Sequence, residues 1–409
     1  MRLVEKHSIK QGVECYREVD NMAYRCKNLY NSTLYAIRQH FFATGKYLKY
    51  ADLQKQFQET NQYDYRQLPA KVAQWTMKLA DQNFRSFFKS LKDYKAHPEK
   101  YTGRPCIPHY LDKVEGRSVI TFTSQAISKR LLETEGVVKP SGLELRIETE
   151  LAYEEIQQVR IIKRTGHYVA ELVHTVPDVE PLGENGRIAA IDLGVGNLAT
   201  VVSNDPSVRP YVISGKELKS INHRYNQRKA HYQSLLETRN GGKKTSKRIQ
   251  ALACKRNNQV NDTLHKASRM IVNQLIVSET NTLVVGKNKG WKQDINIGAV
   301  NNQTFTEIPH TRFIEMLRYK CAMAGIELIE QEESHTSKCS FLDGEEICHH
   351  EKYMGRRIKR GLFRTNDGRL VNADVNGAYN IMRKCKPNAF EGNGVEGVLV
   401  HPVVIKTTH

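Results

Sequence analysis

The second half of the chain is predicted to be an α/β domain on a mixed sheet, preceded by a β module that carries a helical insertion. Three observations predict this. A sharp strand at Arg187–Asp192 leads through a Gly-containing turn into strands at Asn197–Ser203 and Pro210–Ser214. Two long amphipathic segments follow, and then strand, helix and strand at Thr282–Gly286, Pro309–Ala324 and about Glu327–Glu332. Upstream, between Pro105 and about Val176, apolar and polar residues alternate with the period of two of a half-buried strand.

From the start of the chain, residues from about Val13 to just past Phe84 read as helical. Val72, Trp75, Leu79, Phe84, Phe87, Phe88 and Leu91 recur at helical spacing behind Pro69, a residue tolerated at a helix start. That aromatic stripe reads as a core face. In the β module, Leu143, Leu145 and Ile147 alternate with Glu144, Arg146 and Glu148. Ser118–Thr123, Val159–Lys163 and His167–Val173 read the same way, with Thr165-Gly166 as a hairpin turn. Pro177 to Gly186 is a linker rich in Pro, Gly and acidic residues. Beyond it, Leu218, Ile221, Tyr225, Tyr232 and Leu235 line one long helix, and Ile249, Leu252, Leu264, Ala267 and Ile271 line the next. Asn240-Gly241-Gly242 separates the two as a helix stop. This order of elements implies later strands parallel to the first. Three antiparallel strands with a carboxylate on the first form the opening of an RNase-H-like fold.

Charge points to an anionic partner. The 409 residues hold 62 Lys or Arg against 44 Asp or Glu, a formal net charge of +18. Between Lys216 and Arg269 stand fourteen Lys or Arg and only Glu217, Glu237 and Asp262, a concentration that suits a surface tracking phosphates. The 8 cysteines include no CxxC pair, which fits a reduced compartment. No apolar run resembles a signal peptide or the roughly 20 residues of a membrane helix. A cytoplasmic, bacterial, nucleoid-associated protein without membrane contact is expected.

Two carboxylates stand where metal chemistry needs them. Asp192 lies where the first strand meets its turn, and Asp374 begins a helix carrying Ala378 and Ile381 on one face. Nucleases of the RNase H type hold two divalent cations about 3.5–4 Å apart, and magnesium takes oxygen ligands, so three or four carboxylates must converge. Each residue alone has other uses. Asp-x-Gly after a strand also opens phosphate-cradling hairpins, and Asp at a helix start also serves as a cap.

Four segments resemble the TnpB (OrfB) family: Asp192-Leu193-Gly194-Val195-Gly196-Asn197-Leu198-Ala199-Thr200, Asn302-Gln303-Thr304-Phe305, Thr336-Ser337-Lys338-Cys339 and Ala373-Asp374-Val375-Asn376-Gly377. Members of that family are transposon-encoded, RNA-guided DNA endonucleases related to the type V CRISPR effectors. The resemblance implies a RuvC-type, RNase-H-like nuclease domain over 187–386. Within it lie a basic helical pair at 216–279 and a degenerate zinc-ribbon-like insert at 334–370. It also implies a β-barrel-like wedge module at 1–12 and 98–180, a helical recognition insertion at 13–97, and a C-terminal tail at 387–409. The implied partners are a guide RNA and double-stranded target DNA, with one protein on one RNA. The implied cofactor is a pair of Mg²⁺ or Mn²⁺ ions.

Two departures from the family pattern bear on the chemistry. The family ends its fourth strand on a catalytic Glu, and here that position is Gly286. The fifth strand runs beside the fourth, and side chains alternate along it, so one of Glu332 and Glu333 should face the site. Glu333 is the expected third ligand with Asp192 and Asp374, ahead of Asp294. The family's four-cysteine ribbon is reduced here to Cys339, Cys348, His349 and His350, so zinc is not expected. The insert carries Arg356, Arg357, Lys359 and Arg360, suited to single-stranded DNA near the metals. Further nucleic-acid contacts are expected from Arg224, Arg228, Lys243, Lys244, Lys247, Arg248, Lys255 and Arg256. Lys71 and Gln74 are candidates for reading a short motif beside the target. The leading function is RNA-guided DNA cleavage by two-metal hydrolysis. A guided DNA-binding repressor without nuclease activity, favoured by Gly286, and a transposase are the alternatives.

Overall fold

The computed structural model describes residues 1–239, 245–287, 308–391 and 400–406. The chain divides into two units, Met1–Pro177 and Asp178–His409. The first runs β1 (Arg2–Lys10), α1 (Tyr16–Thr44), α2 (Tyr50–Glu59), α3 (Tyr63–Arg66), α4 (Ala70–Ala96), β2 (Ile120–Thr123), α5 (Lys129–Glu135), β3 (Val137–Val138), β4 (Ile147–Glu148), β5 (Ile156–Arg164) and β6 (His167–Thr175).

Four of these strands form an antiparallel sheet in the order β1-β6-β5-β2. Gly166, at φ +80°, supplies the left-handed residue of the tight turn joining β5 to β6. The sheet is open, with β1 and β2 as its edges; no pairing among the described residues closes it into a barrel. The Leu143–Glu148 segment, expected as a strand, joins a ladder only at Ile147 and Glu148. Its alternation holds as burial: Leu143, Leu145 and Ile147 point inward while Glu144 and Arg146 are exposed. The Glu144 backbone N–H bonds the Glu18 carboxylate of α1 at 3.0 Å, so part of this extended segment finds a side-chain partner instead of a neighbouring strand.

Helices α1 and α4 pack through Val19, Ala23, Cys26, Val72, Ala73, Met77 and Phe84 into the same core as the sheet. Of the aromatic stripe on α4, Phe84 is fully buried, while Phe87 and Phe88 pack at the edge of the core. Asp20 ties the layers together. Its carboxylate takes Arg117 Nη2 at 2.8 Å, Arg117 Nε at 3.1 Å and the Tyr168 hydroxyl at 2.7 Å. Burial pushes this carboxyl up, but the Arg117 and Tyr168 hydrogen bonds outweigh it and hold it below the ordinary carboxylate value. A depressed folded-state value means that the contribution is complete above the unfolded value, near pH 4. It is lost as pH falls further, through the folded value. Asp20→Ala is expected to destabilise the first unit by about 2–3 kcal/mol near pH 7, because a partly buried guanidinium and hydroxyl lose their acceptor. The deficit should shrink in thermal melts taken well below pH 4.

The second unit runs β7 (Ile188–Leu193), β8 (Asn197–Ser203), β9 (Tyr211–Ser214), α6 (Lys216–Arg239), α7 (Lys247–Val277), β10 (Thr282–Gly286), α8 (His310–Met323), β11 (Glu327–Gln331), β12 (Arg356–Lys359), β13 (Leu362–Arg364), β14 (Leu370–Asn372), α9 (Ala373–Cys385) and β15 (Val403–Ile405). Its main sheet has the order β11-β10-β7-β8-β9-β15. Strands β7, β8 and β9 are antiparallel, while β10 and β11 run parallel to β7. The C-terminal segment, expected as a tail, supplies β15, a sixth strand parallel to β9.

Central β7 is covered on both faces. Ala189, Ile191 and Leu193 join the core under α7 and α8, with Leu264, Ile271, Phe313 and Leu317. Ile188 and Ala190 face Val375, Ala378 and Ile381 of α9. Helix α6 departs from its expected amphipathic reading. Leu218 and Ile221 are buried, but Leu235 is exposed. Tyr225 lies under Lys229 and Arg256, and Tyr232 under Arg248, so these rings serve cations and not the core. The helix stop expected at Asn240-Gly241-Gly242 lies outside the described residues. No described helix is long and apolar enough to cross a membrane.

Candidate active site

The C-terminal edge of β7 and β10 gathers acidic side chains because of how three elements meet there. Even-numbered residues of β7 face α9, which puts Asp192 on that side. The ladder pairs Val285 with Ile191, so the next residue, Gly286, stands level with Asp192. Helix α9 crosses directly above. A Cβ on Gly377 would lie 2.9 Å from Asp192 Oδ2, so only glycine lets α9 pass this close to the carboxylate.

Gly286 is explained the same way. A Cβ there would stand 2.5 Å from Glu333 Oε2 and 2.6 Å from Ile381 Cδ1. The Glu333 carboxyl thus occupies the space that a side chain on the end of β10 would fill. Its neighbour Glu332 turns outward, where Lys384 donates to it at 2.7 Å. That bond and those from Ser334 hold Glu332 down at about 2. Burial, reinforced by Glu332 and opposed by Lys384, pushes Glu333 up to about 7. Adjacent residues, one solvated and one turned inward, are thereby set far apart.

The loop that delivers Glu333 is pinned from α9. Asn376 and Asn380 are fully buried on one face of that helix, at the i, i+4 spacing. Asn376 Nδ2 donates to the Cys339 carbonyl at 2.8 Å, and its Oδ1 accepts from the Phe341 N–H at 2.9 Å. Asn380 Nδ2 donates to the Thr336 carbonyl at 2.9 Å and to that of Cys339 at 2.8 Å. The two asparagines satisfy backbone groups that an irregular buried loop leaves over. Sequence reasoning had passed over them as parts of a motif; their spacing on a helix otherwise apolar on that face was the available signal.

Asp374 sits in the first turn of α9, capped by Asn372, whose side chain accepts from the Asp374 and Val375 N–H groups. Its Oδ2 accepts from Asn197 Nδ2 at 2.7 Å and its Oδ1 faces Arg357 Nη2 at 3.1 Å. Asn197 was also unforeseen. Asp192 is displaced as well: burial, then the charges of Glu333 and Asp374, raise it well above the ordinary carboxylate value against the pull of Arg357. Asp192 therefore senses the charges of both other carboxylates. Yet no three His, Cys, Asp or Glu side chains among the described residues stand close enough together to hold a metal ion. Asn197 and Arg357 draw Asp374 aside. The donor set, all carboxylate oxygen, suits a hard divalent cation, and the two glycines let the Glu333 and Asp192 carboxyls lie against the backbone there. Asp294 and the Asn302–Phe305 segment lie outside the described residues.

The insert forms a three-stranded antiparallel sheet, β12-β13-β14. Cys339 is buried, with Sγ 3.6 Å from the Cys348 carbonyl, and Cys348 Sγ lies 3.3 Å from His350 Nε2. Carboxylates tie the insert together: buried Glu345 accepts from the Ser340 and Met354 N–H groups at 2.6 and 2.8 Å. Arg356, Arg357, Lys359 and Arg360 are exposed on the β12–β13 hairpin. Arg224 and Arg228 on α6, and Lys247, Arg248 and Lys255 on α7, are likewise exposed. Arg256 is engaged instead, donating to Asn222 at 2.8 Å and Asn257 at 3.0 Å and so clipping α7 to α6. Lys243 and Lys244 lie outside the described residues. In the first unit, Lys71 is exposed and Gln74 half-buried in the opening turns of α4.

Two family profiles match the chain. "OrfB_IS605: Probable transposase" covers residues 170–292, and "Cas12f1-like, TNB domain" covers 310–381. The chain resembles the TnpB family. No curated protein matches it. Among solved structures, the Cas12f1 chain of a Cas12f1–sgRNA–target DNA complex shares 16% identity over 90% of this chain and 82% of that one, at a TM-score of 0.58. The mini-RNA-guided endonuclease CRISPR-Cas_phi3 shares 10% over 98% and 93%, at 0.49. The first of these shows a shared fold of mixed α/β content.

Proposed function

We propose that the chain is an RNA-guided DNA endonuclease of the TnpB type, with Asp192, Glu333 and Asp374 as its metal-holding carboxylates. The observation that carries this reading is the fit of the Glu333 carboxyl into the space over Gly286. A nuclease that had merely lost its third carboxylate would have no reason to turn a second one inward there. Divalent cations, when bound, supply charge neutralisation and an activated water for phosphodiester hydrolysis. Asp192, between α9 and the sheet, would help to hold such a cation together with Glu333 and Asp374. Asn197 and the α9 cap hold Asp374 at the rim. Arg357 pairs with Asp374 and, were a divalent cation to hold that carboxylate, would be available to a phosphate.

In this reading the helices of 13–97 and the β segments of 1–12 and 98–180 serve as recognition and wedge modules. They grip the guide and, through Lys71 and Gln74, read a short motif beside the target. The exposed cations of α6, α7 and the β12–β13 hairpin track phosphates. Base pairing then reads the sequence, as in other guided nucleases. The competing reading, guided binding without cleavage, has Gly286 and the scattered carboxylates in its favour. Sequencing the RNA that copurifies with the protein tests guidance. A discrete, structured RNA with one variable end is expected; a featureless sample of host RNA would count against guidance and for a transposase.

A further inference from the structure

The turn after Asp192 is flanked by two cations brought from distant parts of the unit. A Cβ on Gly196 would stand 3.4 Å from Arg360 Nη2 and 3.8 Å from Lys219 Nζ. A guanidinium from the β12–β13 turn and an ammonium from the first turns of α6 thus share one small space. Neither is ion-paired with a described carboxylate. Two cations that both reach the space beside Gly196 without a described acidic partner make a place for an anion, and a guanidinium with an ammonium suits a phosphate.

A cavity of about 360 Å³ adjoins this pair, since its lining includes Asn197 and Gly361, the chain neighbours of Gly196 and Arg360. Its walls are apolar at Val212, Leu362, Pro402 and Val404, with Asn197 and His401 as polar edges. Aliphatic walls suit the faces of a nucleobase, and an amide and an imidazole suit its edge. Asn197 also donates to Asp374, which links the cavity to the acidic centre. Strand β15 completes the cavity.

We infer that this cleft is a subsite for one nucleotide of the DNA strand being cut, its phosphate on Arg360 and Lys219 and its base in the cavity under β15. The inference rests on the nuclease reading, but its test needs neither guide nor cleavage. A 12-residue single-stranded oligodeoxynucleotide carrying one 5-iodouracil is irradiated with the full-length protein in EDTA, and crosslinked peptides are mapped by mass spectrometry. A crosslink at His401 or Leu362 is expected. It should be lost in Val404→Trp, which fills the cavity from an exposed edge strand, and in the double variant Lys219→Gln/Arg360→Gln. The double variant should also bind the oligonucleotide about tenfold more weakly, with a salt slope lower by about one to two. Thermal melts matching wild type establish that both variants fold. Crosslinks confined to other parts of the chain, an unchanged His401 crosslink in Val404→Trp, or a crosslink made by the matching RNA but not by DNA would each overturn the subsite. If cleavage is absent while the His401 crosslink is present, the nuclease reading fails and the subsite stands.

Discussion

Asp374→Ala is expected to slow DNA cleavage by about three orders of magnitude, roughly 4 kcal/mol of transition-state stabilisation. The size follows from position. Asp374 is the carboxylate that reaches the rim of the site, held by Asn197 and by the first turn of α9. Its loss removes a ligand and also leaves Arg357 without its acidic partner in the site. The fold should survive, because Asp374 is partly solvated and the helix cap is made by Asn372, not by Asp374. Guide RNA affinity should therefore match wild type in filter binding, while single-turnover nicking of a matched plasmid falls to near background. Wild-type cutting by this variant would remove Asp374 from the site.

A loss of similar size is expected for Glu333→Ala, for a different physical reason. Glu333 is turned inward against burial and against its own neighbour Glu332. Such a carboxyl is costly to keep in a cation-free chain, and a divalent cation is the natural compensation. Removing it also relieves one source of repulsion on Asp192. The melting temperature should thus stay level or rise as cleavage fails, which separates a lost ligand from a lost fold. Glu332→Ala, by contrast, removes an exposed carboxylate paired with Lys384 and should leave cleavage nearly unchanged.

Much of the second unit was legible in the sequence. Period-two strands, the order of strand and helix, and the parallel course of β10 and β11 beside β7 all follow from patterning and connection rules. Strand β15 was not legible, because three residues, Val403–Ile405, give no periodicity to read. The strand expected at Leu143–Glu148 was overread: alternation there reports burial, and burial does not require a ladder partner. The α6 stripe misled for a related reason, since Tyr225 and Tyr232 satisfy helical spacing while lying under cations. At the site, Gly286 read as an absence. Only the folded chain reveals that the glycine is what admits Glu333, because a missing Cβ has no pattern of its own. Asn197 and Asn376 lie inside motifs and Asn380 just beyond one, where a hydrogen-bonding role shows only once a loop and a helix meet.

The central claim is that Glu333 and Gly286 have exchanged duties between the end of β10 and the loop after β11. It is tested most directly by exchanging them back. Single-turnover nicking of a matched plasmid in Mg²⁺ is measured for wild type, Glu333→Ala and the double variant Gly286→Glu/Glu333→Ala, each loaded with the copurifying RNA. The account predicts that wild type cuts, that Glu333→Ala does not, and that the double variant recovers cutting to within about a hundredfold of wild type. Wild-type cutting by Glu333→Ala, or no cutting by wild type in either Mg²⁺ or Mn²⁺, would contradict it.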